Sequence, residues 1–99
     1  MVLGVIVAPL LNEAYVGVRG SGSWVVQDDV AERLCVGTCA DLAHALVGTG
    51  FGYLQDRRLL QGRVVARLLG EVRDIRRRGA ATLDLVALAR GRLDAYYEL

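Results

Sequence analysis

Residues 75–98, IRRRGAATLDLVALARGRLDAYYE, decide the fold of this chain. Val72–Arg76 is predicted to be a strand, and Gly79 then opens a helix over Ala80–Ala89 that is apolar nearly all round. Gly91 ends that helix, and Leu93–Glu98 alternate as a final strand. A strand, a helix and a strand in this order are typical of an α/β arrangement.

The segment before this stretch adds a second strand–helix unit. Ala45–Thr49 is a short strand candidate, and the glycines of GTGFGY (residues 48–53) end it. Asp56 is predicted to cap a helix that runs to about Leu69, with a stripe of Leu60, Val64 and Leu68 and with its arginines mostly outside that stripe. Gly70 ends it.

The first quarter of the chain has a strand pattern instead. Val2–Ala8 is a β-branched run ended by Pro9, and Ala14–Arg19 alternate, so the two are predicted to form an antiparallel hairpin. Trp24–Val26 is a third strand candidate before an acidic turn. The opening MVLGVIVAPLL carries no charge over 11 residues, which is too short to span a bilayer, and we expect it to be a buried strand.

The fold class is therefore mixed α/β, α+β-like, with an antiparallel hairpin followed by β-α-β-α-β. The 99 residues correspond to a single partial domain over residues 1–99. The apolar fraction of 54% excludes disorder, and the net charge of +1 gives no reason to expect a strongly charged partner. Two cysteines make no disulfide framework, so a cytoplasmic location is expected.

Three motifs have a functional and a structural interpretation. GTGFGY departs from the dinucleotide-binding fingerprint at Tyr53, so a glycine-rich turn at a strand end is favoured. Cys35, Cys39 and His44 fit no common zinc spacing, and we expect small buried cysteines with His44 at the surface or half-buried. Eight arginines between residues 57 and 78 permit a nucleic-acid groove, but no aromatic residues alternate with them, and a solvated helix face is favoured.

Three stretches in order carry a family resemblance. GVIVAPLLNEAYVGVRGSGSW (residues 4–24), ADLAHALVGTGFGY (residues 40–53) and residues 75–98 together resemble the inositol monophosphatase family, in the style of its high-GC bacterial members. The resemblance runs along almost the whole chain. Gly17, Ser23 and Ala80 stand where the family often has another small or polar residue.

The resemblance implies part of a layered αβαβα sandwich and a Mg²⁺-dependent phosphomonoesterase that hydrolyses inositol phosphate or a related sugar phosphate. Clustered carboxylates would hold the metal, which lowers the pKa of the attacking water. The family places those ligands in the motifs G-E-E, D-P-I/L-D-G-T and W-D, and none of the three occurs in this sequence. We therefore assign no catalytic and no metal-binding residue here, and expect the chain to be inactive alone.

The resemblance also implies a set of substrate-binding residues. Glu98 corresponds to the acid that contacts inositol hydroxyls, Gly79, Ala80 and Ala81 to the turn that packs against the ring, and Arg76 to a basic substrate contact. The expected partner is a small phosphate monoester, with a homodimer possible, nucleic acid unlikely and no membrane. The alternative function is a non-catalytic module for interaction or self-association, derived from the same family.

Overall fold

The computed structural model describes residues 2–99, which form two compact units, one that ends at Cys35 and one over Val36–Leu99. The described part of the first unit holds strands and no α-helix, and the second holds α-helices and strands, so the mixed α/β class is confirmed. The single partial domain over residues 1–99 stays a prediction. In residues 2–99 no helix has the length and apolar character needed to cross a membrane.

The first unit contains an antiparallel sheet in the order β1-β2-β3-β4. Its strands are β1 (Leu3–Ala8), β2 (Glu13–Val18), β3 (Gly22–Gln27) and β4 (Val30–Arg33). Pro9 ends β1 by starting a short 3-10 turn, Pro9–Leu11. The predicted hairpin is confirmed by the register, which pairs Leu3 with Val18 and Ala8 with Glu13.

Strand β4 was not predicted, and the acidic turn explains it. Asp28 and Asp29 have φ of 50° and 62°, so both lie in the left-handed region. They form a two-residue loop between the paired residues Gln27 and Val30. The favoured two-residue hairpin turns have positive φ within the loop, because the twist of the turn then matches the twist of the two strands. The turn therefore folds β4 directly back onto β3.

The expectation that the first strand is buried is wrong. Leu3, Val5 and Val7 of β1 are 54%, 56% and 64% exposed, whereas Ala8 is buried. Successive residues of a strand point to opposite faces, and this sheet buries the face that carries Tyr15 and Val25. An uncharged run is therefore consistent with a strand that leaves one apolar face open.

The second unit contains a parallel sheet in the order β6-β5-β7. Its elements are β5 (Leu46–Thr49), α1 (Gln55–Leu68), β6 (Asp74–Arg76), α2 (Ala81–Ala89) and β7 (Ala95–Tyr97). The β-α-β-α-β order is confirmed, with strands shorter than predicted. Both neighbours of β5 run parallel to it.

The core of this unit is small. Ala45, Val47 and Val72 form a buried cluster, and Leu68, Ile75 and Tyr97 pack against it. Within α1, residues 55–68, the buried residue is Gln61, while Leu60 of the predicted stripe is exposed. Asp56 lies inside the first turn of α1, with Leu54 at its N-cap, so Asp56 is not the cap that was predicted.

Helix α2 is half buried rather than buried all round. Asp84, Val86 and Ala87 are enclosed, but Leu85 faces solvent. The sequence pattern had no polar stripe to indicate this open side, because small and apolar residues occupy both faces.

The two cysteines are exposed, which overturns the prediction that they are buried. They lie in residues 34–40, which are assigned to neither helix nor strand, so no core surrounds them. His44 is exposed as expected, and its ring nitrogen Nδ1 lies 2.6 Å from Asp41 Oδ1. The exposed Asp41 carboxylate has its pKa lowered by this contact and by the His44 amide.

Candidate functional site

The carboxyl ends of the parallel strands open onto a cavity of about 460 Å³. Strand β5 lies between β6 and β7, so the connections from its end and the chain after β7 diverge there. In open α/β sheets ligands bind at such a crevice. Residues from the ends of β5 and β7, the start of α1 and the start of α2 line the cavity: Thr49, Gly50, Phe51, Gly52, Tyr53, Arg57, Arg77, Gly79, Ala80, Ala81, Asp84, Tyr96, Glu98 and Leu99.

The glycines of GTGFGY allow side chains to lie directly against the end of β5. A Cβ atom at Gly48 would stand 2.8 Å from Leu93 Cδ1 and 3.2 Å from Tyr96 Cδ2. One at Gly50 would meet Glu98 Oε1 at 2.3 Å and the Tyr96 hydroxyl at 3.4 Å. The favoured interpretation as a turn at a strand end is thus confirmed, and the glycines have a packing reason rather than a phosphate-binding one.

Glu98 lies just past the end of β7, with its carboxylate against the backbone of Gly50. The hydroxyl of Thr49 donates a 3.0 Å hydrogen bond to the carbonyl of Tyr97. On the other side, Gln61 Nε2 donates to the Leu99 oxygen at 3.2 Å. The chain is therefore tied down on both sides of an exposed carboxylate.

Asp84 Oδ1 is buried in the cavity without a hydrogen-bond partner among residues 2–99, and the buried Tyr96 hydroxyl lies beside the Glu98 carboxylate. Asp84 is 1% exposed. Burial raises the pKa of Asp84, while Arg78 and Arg77 act in the opposite direction. Burial also raises the pKa of Tyr96, and the charges of Glu98 and Asp84 add to that effect. Unpartnered buried polar atoms are uncommon in folded proteins and are suited to contact a bound polar ligand.

Basic and aromatic side chains form another part of the rim. The guanidinium carbon of Arg77 lies 5.2 Å from the centre of the Phe51 ring, and that of Arg58 lies 5.8 Å from it. Arg58 also donates to the Gly52 carbonyl at 3.0 Å. Cation–π contacts of this kind order long side chains, so Arg77 is held at the cavity.

Four of the five residues assigned to substrate binding come together in this cavity: Gly79, Ala80, Ala81 and Glu98. Gly79 has a φ of 87°, a left-handed conformation that favours glycine and lets the chain turn into α2. Arg76 does not line the cavity. Its guanidinium donates to Asp74 at 2.7 Å on the surface, where it lowers the pKa of Asp74, and the neighbouring Arg77 lines the cavity instead.

Sequence patterns did not identify Thr49, Asp84 and Tyr96, which line the cavity, or Gln61, which holds the glycine-rich loop beside it. An acid inside the otherwise apolar helix LDLVALA was a usable signal for Asp84, because burying a carboxylate is costly unless it is paired or hydrogen-bonded. Gln61 gave no such signal, since glutamine is common on exposed helix faces.

The residues present do not fit a divalent metal ion. Mg²⁺ requires several oxygen ligands, whereas the acids that line the cavity are Asp84 and Glu98, with Arg57 and Arg77 beside them. Across residues 2–99 there is no group of three or more His, Cys, Asp or Glu side chains that could hold one.

Comparison with known proteins identifies the family of this chain. The model of the Inositol monophosphatase family matches residues 1–99. The chain belongs to the inositol monophosphatase family. An inositol-1-monophosphatase of Mycobacterium leprae is 39% identical over 97 residues, which are 98% of this chain and 33% of that protein. The Nus factor SuhB of Pasteurella multocida is 38% identical over 98 residues, 98% of this chain and 35% of that protein.

Solved structures of inositol monophosphatase-family proteins share the fold. Mycobacterium tuberculosis SuhB superposes with a TM-score of 0.83 at 40% identity, over 88% of this chain and 36% of that one. The inositol monophosphatase of Anabaena superposes with a TM-score of 0.82 at 30% identity, over 97% of this chain and 38% of that one. The chain thus spans about a third of the length of the relatives it matches.

Proposed function

We propose that this chain supplies the substrate-facing wall of a Mg²⁺-dependent phosphomonoesterase that hydrolyses inositol phosphate or a related sugar phosphate. One observation carries the proposal: Glu98, Gly79, Ala80 and Ala81, which the family resemblance assigns to substrate binding, line one cavity at the carboxyl ends of parallel strands. The chemistry named for the mycobacterial relative supports it.

The charges of the cavity suit a phosphorylated polyol. The two oxygens of the Glu98 carboxylate can accept hydrogen bonds from adjacent ring hydroxyls. Arg57 and Arg77 and the positive end of α2, which begins at Ala81, favour the negative phosphate. Inositol 1-phosphate, with hydroxyls on five ring carbons and a phosphate on the sixth, presents both groups together.

The chain's own residues bind and orient the substrate but perform no metal-assisted step. Because no suitable ligand group exists in residues 2–99, any Mg²⁺ that acts on this substrate must be held by residues other than these. We therefore propose that the 99-residue chain releases no appreciable phosphate from inositol 1-phosphate in the presence of Mg²⁺. We also propose a cytoplasmic location, which the low cysteine content supports.

Calorimetric titration of the chain with inositol 1-phosphate tests the binding role. Glu98→Gln should weaken binding about tenfold, because a neutral amide accepts hydroxyl hydrogen bonds less strongly than a carboxylate. Glu71→Gln is the matched control, since Glu71 is an exposed acid outside the cavity, and it should leave the affinity unchanged. Equal affinities for the wild type and Glu98→Gln would reject the proposed role of Glu98.

A second candidate function is self-association without catalysis. The open face of β1, which carries Leu3, Val5 and Val7, favours it, since exposed apolar patches often mark interaction surfaces. Sedimentation velocity at rising protein concentration measures this directly. A dimer that dissociates in a Val5→Thr, Val7→Thr double variant would support it, and a monomer at all concentrations would exclude it.

A further inference from the structure

We propose that Thr49 and Gln61 are positioning residues that fix the backbone at Glu98, and so the point from which its carboxylate reaches into the cavity. The proposal rests on the proposed function only for what Glu98 binds. Glu98 follows the last paired residue of β7, since Tyr97 pairs with Thr49 and the strand ends there. Regular strand pairing therefore ends one residue before the carboxylate.

Thr49 fixes the residue before Glu98. It is 1% exposed, and its hydroxyl donates to the Tyr97 carbonyl at 3.0 Å and lies 3.4 Å from the Gly50 carbonyl. A buried hydroxyl is costly without a partner, and a bond to the chain at Tyr97 satisfies it. The peptide between Tyr97 and Glu98 is thus held by a side chain of the central strand.

Gln61 fixes the residue after Glu98. It is 2% exposed, and its amide is used at both ends: Oε1 accepts from the Gly52 amide at 3.0 Å, and Nε2 donates to the Leu99 oxygen at 3.2 Å. A leucine at this position would satisfy the hydrophobic pattern of α1 but make neither bond. The polar residue therefore ties the glycine-rich loop to the chain beyond Glu98.

The two residues together hold the backbone from which the Glu98 side chain extends. Gly50 lies between Thr49 and the Gly52 amide that Gln61 holds, and the position of its missing Cβ is 2.3 Å from Glu98 Oε1. The loop that Gln61 holds is thus the surface against which the carboxylate rests. A backbone held in this way leaves only the Glu98 side chain to be ordered when its carboxylate accepts two hydroxyls, which favours binding.

Nitrogen-15 relaxation of the 99-residue chain tests the proposal with a matched pair at Thr49. Thr49→Val keeps the shape and removes the hydroxyl, while Thr49→Ser keeps the hydroxyl and removes a methyl group. We expect the Glu98 amide order parameter to fall from about 0.85 to below about 0.6 in Thr49→Val, and to stay near the wild-type value in Thr49→Ser. Gln61→Met, of similar shape without amide bonds, should act like Thr49→Val.

Affinity for inositol 1-phosphate is measured on the same variants. Thr49→Val should weaken it about tenfold, and Thr49→Ser less than twofold. A role in packing alone predicts the reverse order of affinities, because the serine leaves a cavity and the valine does not. That order, or an unchanged order parameter of the Glu98 amide in Thr49→Val, overturns the proposal. If the wild type binds no inositol 1-phosphate, the proposed function fails, and the order parameters still decide the positioning role.

Discussion

Alanine at Gly48 and at Gly50 should have different consequences, although both positions lie in the same GTGFGY motif. Neither glycine has a positive φ, so a Cβ atom brings no backbone strain at either position. The difference lies in what the new methyl group meets. It meets the core at Gly48 and the end of an exposed side chain at Gly50.

At Gly48 the obstacles are Leu93 Cδ1 at 2.8 Å and Tyr96 Cδ2 at 3.2 Å. Leu93 is fully buried, so it has no free space into which to move. Carbon atoms pack best at about 3.5–4.0 Å, so the neighbours must shift by roughly 1 Å. Overpacking of this kind costs typically about 1–3 kcal/mol, and the melting temperature should fall by about 4–8 °C for each kcal/mol.

At Gly50 the main obstacle is the Glu98 carboxylate, with Oε1 at 2.3 Å. Glu98 is exposed, so its side chain can rotate away at a cost of about 0.5 kcal/mol or less. Gly50→Ala should therefore melt within a few degrees of the wild type but bind inositol 1-phosphate more weakly, because the carboxylate has turned.

Thermal unfolding monitored by circular dichroism and calorimetric titration separate the two effects. Gly62→Ala, at an exposed helix position where a Cβ meets nothing within 4 Å, is the control. Gly50→Ala as unstable as Gly48→Ala would show that Glu98 is not free to move. A neutral Gly48→Ala would show that Leu93 does not pack against the strand.

Three further substitutions test other parts of the account. Asp84→Asn should stabilise the fold by about 1 kcal/mol at pH 7. Burial raises the pKa of Asp84, so the free energy of unfolding of the wild type falls as pH rises above the ordinary pKa of 3.8. If the extra stability of the variant is the same below that pH, the prediction is wrong. Asp94→Ala removes the acceptor of the 2.8 Å bond from the Leu46 amide and should cost about 1–3 kcal/mol in urea unfolding, with Asp94→Asn milder; equal losses would refute the role of that bond. Gly22 has a φ of 117°, and an added Cβ would stand 2.6 Å from Arg33 Nη2. Gly22→Ala should therefore destabilise the first sheet by about 1–3 kcal/mol. Amide hydrogen exchange measures this, and unchanged exchange rates would refute it.

Periodicity predicted the regular elements well, because local preference and tertiary packing agree there. The strands β1, β2, β5 and β7 and the helices α1 and α2 all lie where the patterns indicated, within a few residues at their ends. Strand β4 was missed since its four residues carry no clear alternation, and its existence depends on the left-handed pair Asp28 and Asp29.

Burial was predicted less well, because it depends on which face another element covers. The patterns could not show that Val5 and Val7 face outwards, that both cysteines are exposed, or that Gln61 rather than Leu60 is the enclosed residue of α1. For the site, the resemblance named Glu98 and the turn at Gly79, and the structure brings them together. The supporting contacts of Thr49 and Gln61 join residues 38 to 48 positions apart, and no local pattern reports such contacts.

An NMR titration of the nitrogen-15-labelled chain with inositol 1-phosphate tests the central claim most directly, with inorganic phosphate titrated separately. The account predicts amide shifts concentrated at Gly50, Ala80, Ala81 and Glu98 for inositol 1-phosphate, with the shift at Glu98 absent for phosphate, because the carboxylate recognises hydroxyl groups. No shifts at these residues, or the same shift at Glu98 with both compounds, would contradict the claim that this cavity binds a phosphorylated polyol.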